Sequence, residues 1–346
     1  MTAPRVSLVI PVLNAGQSLP HTLRAVGGLT APPEEVVFVD NGSTDESLSL
    51  IRQFQADTSR FRVLLFREPR RGASVARNAG VHQATGEIIA FTDADCAPEG
   101  NWLLHLVAPF QDAAVGAVAG RVIPAPPSCT MDLLGALYTL QLPDRPARHR
   151  QWTPWGGGFP TANLGIRRSL FLSLGGFDEQ VGIYGEDYDL CARIYAQGLE
   201  IAYAPDARVA HYHRTTLAGM LRQAFGFGRS HAYMLRRSGM RGLWLELPRL
   251  ATTWMKCPVP AWVDLASADK KVLTLLLIGV AYPLAAILIP LYAAWLAVQV
   301  YRRAHRSGYP VRPSGAFPLA GLLVLKSAAM TAGRWWGSVR YGRLCF

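Results

Sequence analysis

The chain has 346 residues, half of them hydrophobic, and carries a formal net charge of +11. The charge is unevenly spread, because the first 200 residues hold 16 Lys and Arg against 20 Asp and Glu, whereas the rest hold 19 against 4. A basic C-terminal region predicts an anionic partner, and its long apolar runs favour a lipid surface and argue against nucleic acid.

The five cysteines are scattered and include no CxxC pair. This argues against a disulfide framework or a zinc ribbon and predicts a reducing compartment. The N-terminus has no basic segment followed by a long apolar core, so we expect no signal peptide. The N-terminal half is therefore predicted to stay in the cytoplasm.

The first hundred residues alternate between strand and helix patterns. Compact apolar runs predict four strands, at residues 6–12, 35–39, 61–66 and 87–92. Helical spacing of apolar residues predicts helices between them, at residues 18–29, 45–55 and 73–84. Strands separated by such helices predict βαβ units and a mostly parallel α/β sheet. Ligands of such sheets bind beyond the carboxyl ends of the strands.

The next hundred residues have a more mixed pattern. We predict helices at residues 102–110, 131–142 and 182–197, and strands at residues 115–122 and 200–204. A loop rich in Trp and Gly, at residues 152–160, suits a lid or a platform for substrate.

The composition changes again from about residue 215. Arg222, Arg229 and Arg236 recur at every seventh position, which places them nearly in line on a helix. This spacing predicts a basic amphipathic helix at a membrane surface, and the solvated face of a soluble helix is the alternative.

A charge-free apolar segment follows, at residues 272–300. As one helix it would be about 44 Å long, more than the ~30 Å core of a bilayer requires. Pro283 and Pro290 interrupt it, so it is either one tilted, kinked span or a shallow hairpin. Basic residues flank both ends, which favours a hairpin, an interfacial arrangement or a second crossing at residues 316–332. The second segment contains Lys326.

Two carboxylates follow the fourth predicted strand, in the sequence FTDADCAP. Asp93 and Asp95 are two residues apart at a strand end, so both can approach one hard cation. Oxygen ligands suit Mg²⁺ or Mn²⁺, and such an ion would neutralise charge on a diphosphate leaving group. An isolated DxD is usually a solvated turn, but the buried strand before it favours the metal site.

Two further motifs suit a nucleotide. Asp40 ends the second predicted strand and Asn41 begins the turn after it. Asp40 could accept hydrogen bonds from a nucleoside or simply belong to a capped turn. Arg70, Arg71 and Arg77 lie near the start of a helix, which suits phosphate groups, although surface arginines are often merely solvated.

An acidic cluster opens the helix predicted at residues 182–197. Negative charges at this position interact favourably with the helix dipole, and the cluster contains Glu186, Asp187 and Asp189. Their proximity to one another also predicts that a carboxyl pKa is raised. A carboxylate that deprotonates an acceptor hydroxyl needs such an environment. Arg193 lies two turns from Glu186 and is predicted to hold part of the cluster.

A pair of histidines alternates in the sequence VAHYHR. On a strand, His211 and His213 would face the same side, and one of them could complete the coordination of the metal. The alternative is a packing or surface role.

Taken in order, these motifs resemble the family 2 inverting glycosyltransferases. The likeness covers roughly residues 4–215 and is carried by SLVIPVLNAG, VDNGSTD, RGASVARNAG, FTDADCAP, PTANLGIRRSLFLSLGGFDE and GEDYDLCARIYAQG. It implies a GT-A nucleotide-binding sheet (Rossmann-like, mostly parallel) followed by a helical, membrane-associated C-terminal region. We expect a GT-A domain at residues 1–215, an interfacial basic and aromatic region at 216–264 and a membrane anchor at 265–346.

The resemblance also implies roles for individual residues. Asp187 would be the catalytic base, and Glu186 would position substrate. The nucleotide and donor would meet Pro11, Asn14, Asp40, Asn41, Arg71, Arg77 and Asp93. The metal would be held by Asp95, Asp93 and His211. The acceptor or donor sugar would meet Asn163, Asp178 and Arg193.

The activity implied is a single in-line displacement with inversion, assisted by Mg²⁺ or Mn²⁺. The donor would be a nucleotide sugar, with a UDP-sugar favoured, and the acceptor a lipid-linked or cell-envelope glycan at the cytoplasmic face of the membrane. The chain lacks the QxxRW signature of polysaccharide synthases, so we expect one sugar per acceptor. A catalytically silent nucleotide-sugar-binding protein and a nucleotidyltransferase are the alternatives. The latter would need a basic, Gly-rich loop after the first strand, where VLNAGQSLP has no cation.

Overall fold

The computed structural model describes residues 4–140, 142–151, 157–180, 184–237, 242–247, 253–255 and 261–346. It divides into two compact units. The first comprises Met1–Pro126 and Leu140–Tyr212, and the second comprises Pro127–Thr139 and His213–Phe346. The short segment Pro127–Thr139 therefore packs with the C-terminal residues, although it lies between two parts of the first unit in the sequence.

The strands of the first unit form one sheet. They are β1 (Val6–Val12), β2 (Glu35–Asp40), β3 (Arg62–Arg67), β4 (Ile88–Phe91), β5 (Cys96–Pro98), β6 (Val115–Pro124), β7 (Ala147–His149), β8 (Leu164–Arg167) and β9 (Glu200–His211). Their order across the sheet is β3-β2-β1-β4-β8-β6-β9-β5, and β7 pairs with β9.

Neighbouring strands in the N-terminal half of the sheet are all parallel. β1 lies between β2 and β4, and β3 pairs with the far side of β2. The carboxyl ends of β2, β1 and β4 therefore meet at one edge, where strand order reverses and ligands of such sheets bind. The predicted α/β fold with a mostly parallel central sheet is confirmed.

Helices cover both faces of this sheet. They are α1 (Leu19–Gly27), α2 (Ser47–Asp57), α3 (Ala73–Gln83), α4 (Trp102–Val107), α6 (Arg168–Ser173) and α7 (Glu186–Ala196), with α5 (Thr130–Tyr138) belonging to the second unit. Successive side chains of β1 point to opposite faces of the sheet. Leu8 and Ile10 join the apolar core on one face, and Val9 joins the core on the other. Both faces are therefore apolar and have to be covered.

Several elements differ from the sequence prediction, among them the short elements β5, β7 and α6, which the sequence pattern does not predict. The strand β8, which runs antiparallel to both β4 and β6, was not predicted. The strand β9 continues to His211 instead of ending at residue 204, because β6, β5 and β7 all pair with it. The helix predicted at residues 131–142 ends at Tyr138.

The second unit combines helices with a small sheet. It contains α8 (Leu217–Arg237), β10 (Leu243–Glu246), β11 (Thr253–Met255), β12 (Ala261–Asp264), α9 (Ala268–Ala281), α10 (Leu288–Arg306), α11 (Pro313–Tyr341) and β13 (Leu344–Cys345). The strands lie in the order β11-β10-β12-β13.

The helix α8 packs closely on α11. A Cβ atom on Gly228 would clash with the carbonyl oxygen of Met330, so the two backbones touch there. Arg229 lies over the ring of Trp336, with 5.7 Å between the guanidinium carbon and the ring centroid. The helix that the sequence predicts around Arg222, Arg229 and Arg236 is present as α8, and part of it is buried against α11. Its place at a membrane surface stays a prediction.

Two stretches of the second unit are long and apolar enough to cross a membrane, judged by length and composition alone. They are Pro283–Arg306 and Pro313–Tyr341. The charge-free segment at residues 272–300 is divided in the structure between α9, a 3₁₀ turn at Pro283–Ile287 and the first part of α10.

Candidate active site

The loops after β1 and β2 meet at the carboxyl edge of the sheet. Asp40, the last residue of β2, is buried, and its carboxylate accepts hydrogen bonds from the backbone N–H groups of Gly42 (3.3 Å) and Ser43 (2.9 Å). Asn14 has a left-handed backbone with φ of 49°, and its side-chain oxygen accepts a hydrogen bond from the N–H of Thr44 at 2.8 Å. Asp40 and Asn14 therefore fix the turns that border this edge.

Asn41 joins these turns to the arginine-rich loop before α3. Its side-chain nitrogen donates to the carbonyl oxygen of Arg70 (2.7 Å), and its side-chain oxygen accepts from the N–H of Gly72 (2.8 Å). The Arg71 guanidinium carbon lies 3.4 Å from the position that a Cβ on Gly42 would take. An exposed cation thus lies over the turn that follows Asp40.

Arg77 is a buried link between two acidic motifs. Its Nη1 donates to Oε1 of Glu186 at 2.8 Å, and its Nη2 donates to Oδ1 of Asp93 at 2.8 Å. Burial alone would lower the pKa of Arg77, but the charges of Asp93 and Glu186 raise it above its usual value. The guanidinium we expected on the donor phosphates is instead engaged with two carboxylates of the protein.

The first turn of α7 carries the acidic pair Glu186 and Asp187. Glu186 is buried, and its Oε2 makes no hydrogen bond within the described residues. Burial of the carboxyl group, and then the charge of Glu186, raise the pKa of Asp187 to about 8, with Arg77 acting in the opposite direction. Asp187 is partly exposed, so a group able to exchange a proton near neutral pH faces the surface of this unit.

Three possible metal ligands converge where β5 pairs with β9. Oδ1 of Asp95 lies 3.6 Å from Nε2 of His211 and 3.7 Å from Sγ of Cys96. One ligand atom from each residue lies within 4.8 Å of the others, and the strand register places Cys96 opposite His211. Burial, together with Asp95 and Asp93, raises the pKa of the Cys96 thiol well above its usual value. A neutral thiol is a weak ligand for a hard cation.

Of the two histidines in VAHYHR, His211 is the one that approaches Asp95. It is the last residue of β9 and is buried. His213 belongs to the second unit, where its ring packs against Gly135, at 2.6 Å from the position that a Cβ there would take.

The GGFDE segment is held against α3 by Asn78. The amide nitrogen of Asn78 donates to the carbonyl oxygen of Phe177 (2.9 Å), and its oxygen accepts from the Phe177 N–H (2.8 Å). Gly176 has φ of 73°, and a Cβ there would lie 2.6 Å from the Asn78 side-chain oxygen. The segment after α6 thus depends on a residue directly after Arg77.

Asn163 is fully buried and makes its hydrogen bonds within the protein. Its side-chain oxygen accepts from Nε1 of Trp102 at 2.8 Å, and its nitrogen donates to the carbonyl oxygens of Arg121 (3.0 Å) and Ala207 (2.7 Å). We expected Asn163 to meet the donor or acceptor. In the structure it joins strands β6 and β9 to α4, and its polar groups are used within the protein.

Asp178 precedes the acidic turn in the sequence and Arg193 follows it. Asp178 is partly exposed, and its Oδ1 accepts from the N–H of Gln180 at 2.9 Å. Arg193 binds Oδ2 of Asp189 at 2.8 Å and donates to the carbonyl oxygen of Leu174 at 2.9 Å. Arg193 thus holds one member of the acidic cluster.

Comparison with known proteins assigns the N-terminal part of this chain to a family. The family described as "Glycosyl transferase family 2" matches residues 7–175. The chain is 29% identical over 246 residues to glycosyltransferase AglE of Haloferax volcanii, covering 69% of this chain and 78% of that protein. It is 31% identical over 236 residues to the pre-mycofactocin glycosyltransferase of Mycobacterium tuberculosis, covering 66% of this chain and 47% of that protein. Residues 7–175 therefore form a glycosyl transferase family 2 domain.

The fold of this glycosyltransferase also matches a solved structure. Mannosyltransferase PcManGT from Pyrobaculum calidifontis, solved in complex with GDP-Man and Mn²⁺, aligns with a TM-score of 0.57 and 24% identity. The alignment covers 97% of this chain and 88% of that one. The likeness shows the shared GT-A fold. The chain spans about half the length of the mycobacterial relative, of which it covers 47%.

The matched region ends before part of the site. Pro11, which lies in β1 opposite Val39, falls within residues 7–175, as do the two aspartates of the DxD motif. Asp187 and His211 lie after the matched region. Their contribution to this glycosyltransferase rests on the geometry around them.

Sequence reasoning missed two residues of the site. Asn78 and Cys96 both lie within quoted motifs, RGASVARNAG and FTDADCAP, but neither was singled out. The signal for Asn78 was its position after Arg77 on a short helix. For Cys96 it was the alternation of the strand that follows Asp95. Both contacts depend on segments about a hundred residues away along the chain.

Proposed function

We propose that this glycosyltransferase transfers one sugar from a nucleoside diphosphate sugar to an acceptor hydroxyl, with inversion at the anomeric carbon. One relationship carries the proposal. Asp187, with a pKa raised to about 8, follows Glu186, which Arg77 ties to Asp93 of the DxD motif. A single displacement requires a proton acceptor and a leaving-group site, and here one buried cation joins the two.

The donor half of the proposed site is the edge formed by β1 and β2. Asp40, Asn14 and Asn41 hold its turns, and we propose that the nucleoside lies against them and against Pro11. Arg71, exposed over the Gly42 turn, supplies positive charge for the diphosphate. We favour a uridine nucleotide, in keeping with the sequence expectation.

A divalent cation, Mg²⁺ or Mn²⁺, fits the rim of the sheet. The carboxylate of Asp95 and the imidazole of His211 lie 3.6 Å apart and offer oxygen and nitrogen donors, and Asp93 lies two residues away. We propose that these three residues hold the cation. When bound, it would supply positive charge that neutralises the departing diphosphate.

The acceptor half of the proposed site is the first turn of α7. Asp187 removes the proton from the attacking hydroxyl once its own carboxyl is ionised. Glu186, held by Arg77, keeps this turn charged and in place. Asp178 is partly exposed and remains the proposed contact for a sugar hydroxyl, whereas Arg193 acts by fixing Asp189.

We propose a lipid-linked or cell-envelope acceptor at the cytoplasmic face of the membrane, one sugar being added per acceptor. The support is the second unit, which contains two helices long and apolar enough to cross a membrane. The strong positive charge of residues 201–346 suits the anionic cytoplasmic leaflet.

A donor screen tests the proposal. Purified protein is incubated with UDP-, GDP- and dTDP-sugars, with and without Mn²⁺, and release of free sugar and nucleoside diphosphate is measured. We expect metal-dependent hydrolysis of at least one donor, favouring a UDP-sugar, and its loss in Asp95→Ala. Hydrolysis that is unchanged by chelation or by Asp95→Ala would overturn the proposed metal site.

A further inference from the structure

The second unit exposes a continuous apolar surface. Within residues 272–295, here called the apolar hairpin, there is no charged residue. Val280, Tyr282 and Leu284 are 83%, 70% and 94% exposed. Other large side chains of the hairpin are exposed as well, namely Leu273, Leu276, Leu277, Ile278, Ile287, Leu288, Leu291 and Trp295. An apolar surface of this extent on a soluble protein marks contact with a partner or a membrane.

The apolar hairpin reverses direction at its tip. The helix α9 ends at Ala281, and the 3₁₀ turn Pro283–Ile287 folds back on it. A Cβ on Gly279 would lie 3.4 Å from Cα of Ala286. In one continuous helix these residues would be separated by about 10 Å along the axis. The chain therefore turns back and does not form a straight span.

The length of the hairpin matches one leaflet. From Leu284 at the tip to Trp295 on α10 is eleven residues, or roughly 17 Å along a helix, and the distance to Leu273 on α9 is similar. This is about half of the ~30 Å core of a bilayer. Tyr292 stacks on Trp295 with 5.6 Å between the ring centroids, and such aromatic side chains favour the headgroup boundary.

The segments that flank the hairpin on both sides are bound to folded protein. At the α9 end, Nζ of Lys270 donates to Oγ1 of Thr331 on α11 at 3.3 Å. At the α10 end, Nε of Arg303 donates to the carbonyl oxygen of Leu137 at 2.7 Å, in the last turn of α5. The helix α5 has nine residues, or about 14 Å, and is too short to cross a bilayer.

The same turn of α5 also binds the middle of α11. Nζ of Lys326 donates to Oγ1 of Thr139 at 2.8 Å and lies 3.3 Å from the carbonyl oxygen of Tyr138. Lys326 is close to the midpoint of Pro313–Tyr341. If α11 crossed the membrane, the end of α5 would lie at the bilayer centre, although its chain continues at Leu140 into the sheet unit. Buried polar backbone and charges of this kind are costly in hydrocarbon.

A second buried charge, on Arg334, also argues against a membrane crossing by α11. Nη1 of Arg334 lies 2.7 Å from Oδ2 of Asp264, and its Nε donates to Nδ1 of His231 at 3.1 Å. The exposed side of the same helix is apolar instead, and includes Phe317, Leu325, Trp335, Trp336 and Val339. A helix with one buried polar side and one exposed apolar stripe suits the plane of a membrane surface.

We infer that this chain is monotopic: the apolar hairpin enters one leaflet and returns to the same side, and no described segment crosses the bilayer. The partner is the acyl region of a leaflet with anionic headgroups. Exposed basic residues support this choice, because Arg302 and Arg306 follow the α10 arm and Arg312 precedes α11. The inference concerns how the chain is attached to the membrane and does not depend on the proposed transfer reaction.

Labelling from the two sides of the membrane tests the inference. In full-length protein with Cys129→Ser and Cys257→Ser, single cysteines are placed by Gln53→Cys in the sheet unit, Ser307→Cys after α10 and Leu284→Cys at the tip. Right-side-out and inverted vesicles are treated with a membrane-impermeant maleimide. We expect Ser307→Cys to react from the same side as Gln53→Cys, and Leu284→Cys to react only after detergent is added.

Two results would overturn the inference. Reaction of Ser307→Cys from the side opposite Gln53→Cys would show that α10 crosses. Reaction of Leu284→Cys from either side in intact vesicles would show that the tip lies in water.

A binding experiment with matched variants adds a second measurement. Protein is diluted from detergent into vesicles of phosphatidylglycerol and phosphatidylcholine, and the bound fraction is measured by flotation. Leu284→Glu with Ile287→Glu should weaken binding about tenfold or more, because each carboxylate opposes entry into hydrocarbon. Leu104→Glu, at a site 50% exposed in the sheet unit, is the control and should bind like the wild type. Equal binding by the double variant and the wild type would contradict the inference.

Discussion

The Arg77 guanidinium lies 2.8 Å from a carboxylate oxygen of Glu186, and the two residues are 109 positions apart in the sequence. The other nitrogen of the same guanidinium binds Asp93 at 2.8 Å. Both Arg77 and Glu186 are buried. One buried cation therefore joins the end of β4, where the proposed metal site begins, to the helix turn that carries the proposed base.

Removing this cation should destabilise the protein and abolish transfer. Arg77→Gln leaves Glu186 as a buried charge without its partner, which costs about 3 to 5 kcal/mol for such pairs. We expect the free energy of unfolding, measured in urea, to fall by an amount of this order. Arg5→Gln, which breaks an exposed pair with Glu87, is the matched control and should change it by less than about 1 kcal/mol. Equal effects of the two variants would contradict the proposed bridge.

The pH dependence of transfer should report the ionisation of Asp187. Its carboxyl has a pKa raised to about 8, so the fraction able to accept a proton increases as pH rises through that value. We expect kcat/KM to rise with pH to a plateau, with a midpoint near 8. Glu186→Gln removes the neighbouring negative charge, so any residual transfer should show a lower midpoint. A rate independent of pH between about 5 and 9 would exclude Asp187 as the titrating base.

The same ionisation should appear as a stability difference. The pKa of Asp187 is raised in the folded protein. The stability that its protonated form provides is therefore fully present below a pH of about 4, which is the pKa of an Asp carboxyl in the unfolded chain. That stability is lost as pH rises from about 4 to about 8. Asp187→Asn does not titrate, so we expect its Tm to exceed that of the wild type increasingly over this range. A constant Tm difference from pH 4 to pH 8 would contradict the raised pKa.

The proposed metal ligands can be tested by binding alone. Asp95→Ala and His211→Ala each remove one donor atom from a pair 3.6 Å apart. In the presence of nucleoside diphosphate, we expect at least a tenfold weaker Mn²⁺ affinity for each, measured by electron paramagnetic resonance of free Mn²⁺. His105→Ala removes an exposed histidine from α4 and serves as the control. Unchanged affinity in His211→Ala would leave Asp95 as a ligand and remove the histidine from the site.

Local sequence patterns predicted the elements that build the donor edge. The apolar runs of β1, β2 and β4 and the polar residues after them lie where the pattern placed them, because burial on both faces dictates such runs. The short strand β8 was missed, since four residues with one Gly carry too little periodicity. Its place in the sheet is set by pairing with β4 and β6, far along the chain.

The tertiary roles of single residues were harder to predict. Arg77 lies in a motif that suits phosphate, and only the fold brings Glu186 and Asp93 to its two nitrogens. Asn163 likewise has a polar side chain in a suggestive motif, yet Trp102 and two strand carbonyls use its hydrogen bonds. A sequence shows that a side chain is polar, but its partners are determined by segments distant in sequence.

The most direct test of the proposed mechanism compares donor binding and sugar transfer in Asp187→Asn. The carboxamide is nearly the same size but cannot accept the proton of the acceptor hydroxyl. We predict that the variant binds the nucleoside diphosphate sugar and Mn²⁺ within about twofold of the wild type while transfer falls by a factor on the order of 10² to 10⁴. Transfer by Asp187→Asn at the wild-type rate would contradict the assignment of Asp187 as the base.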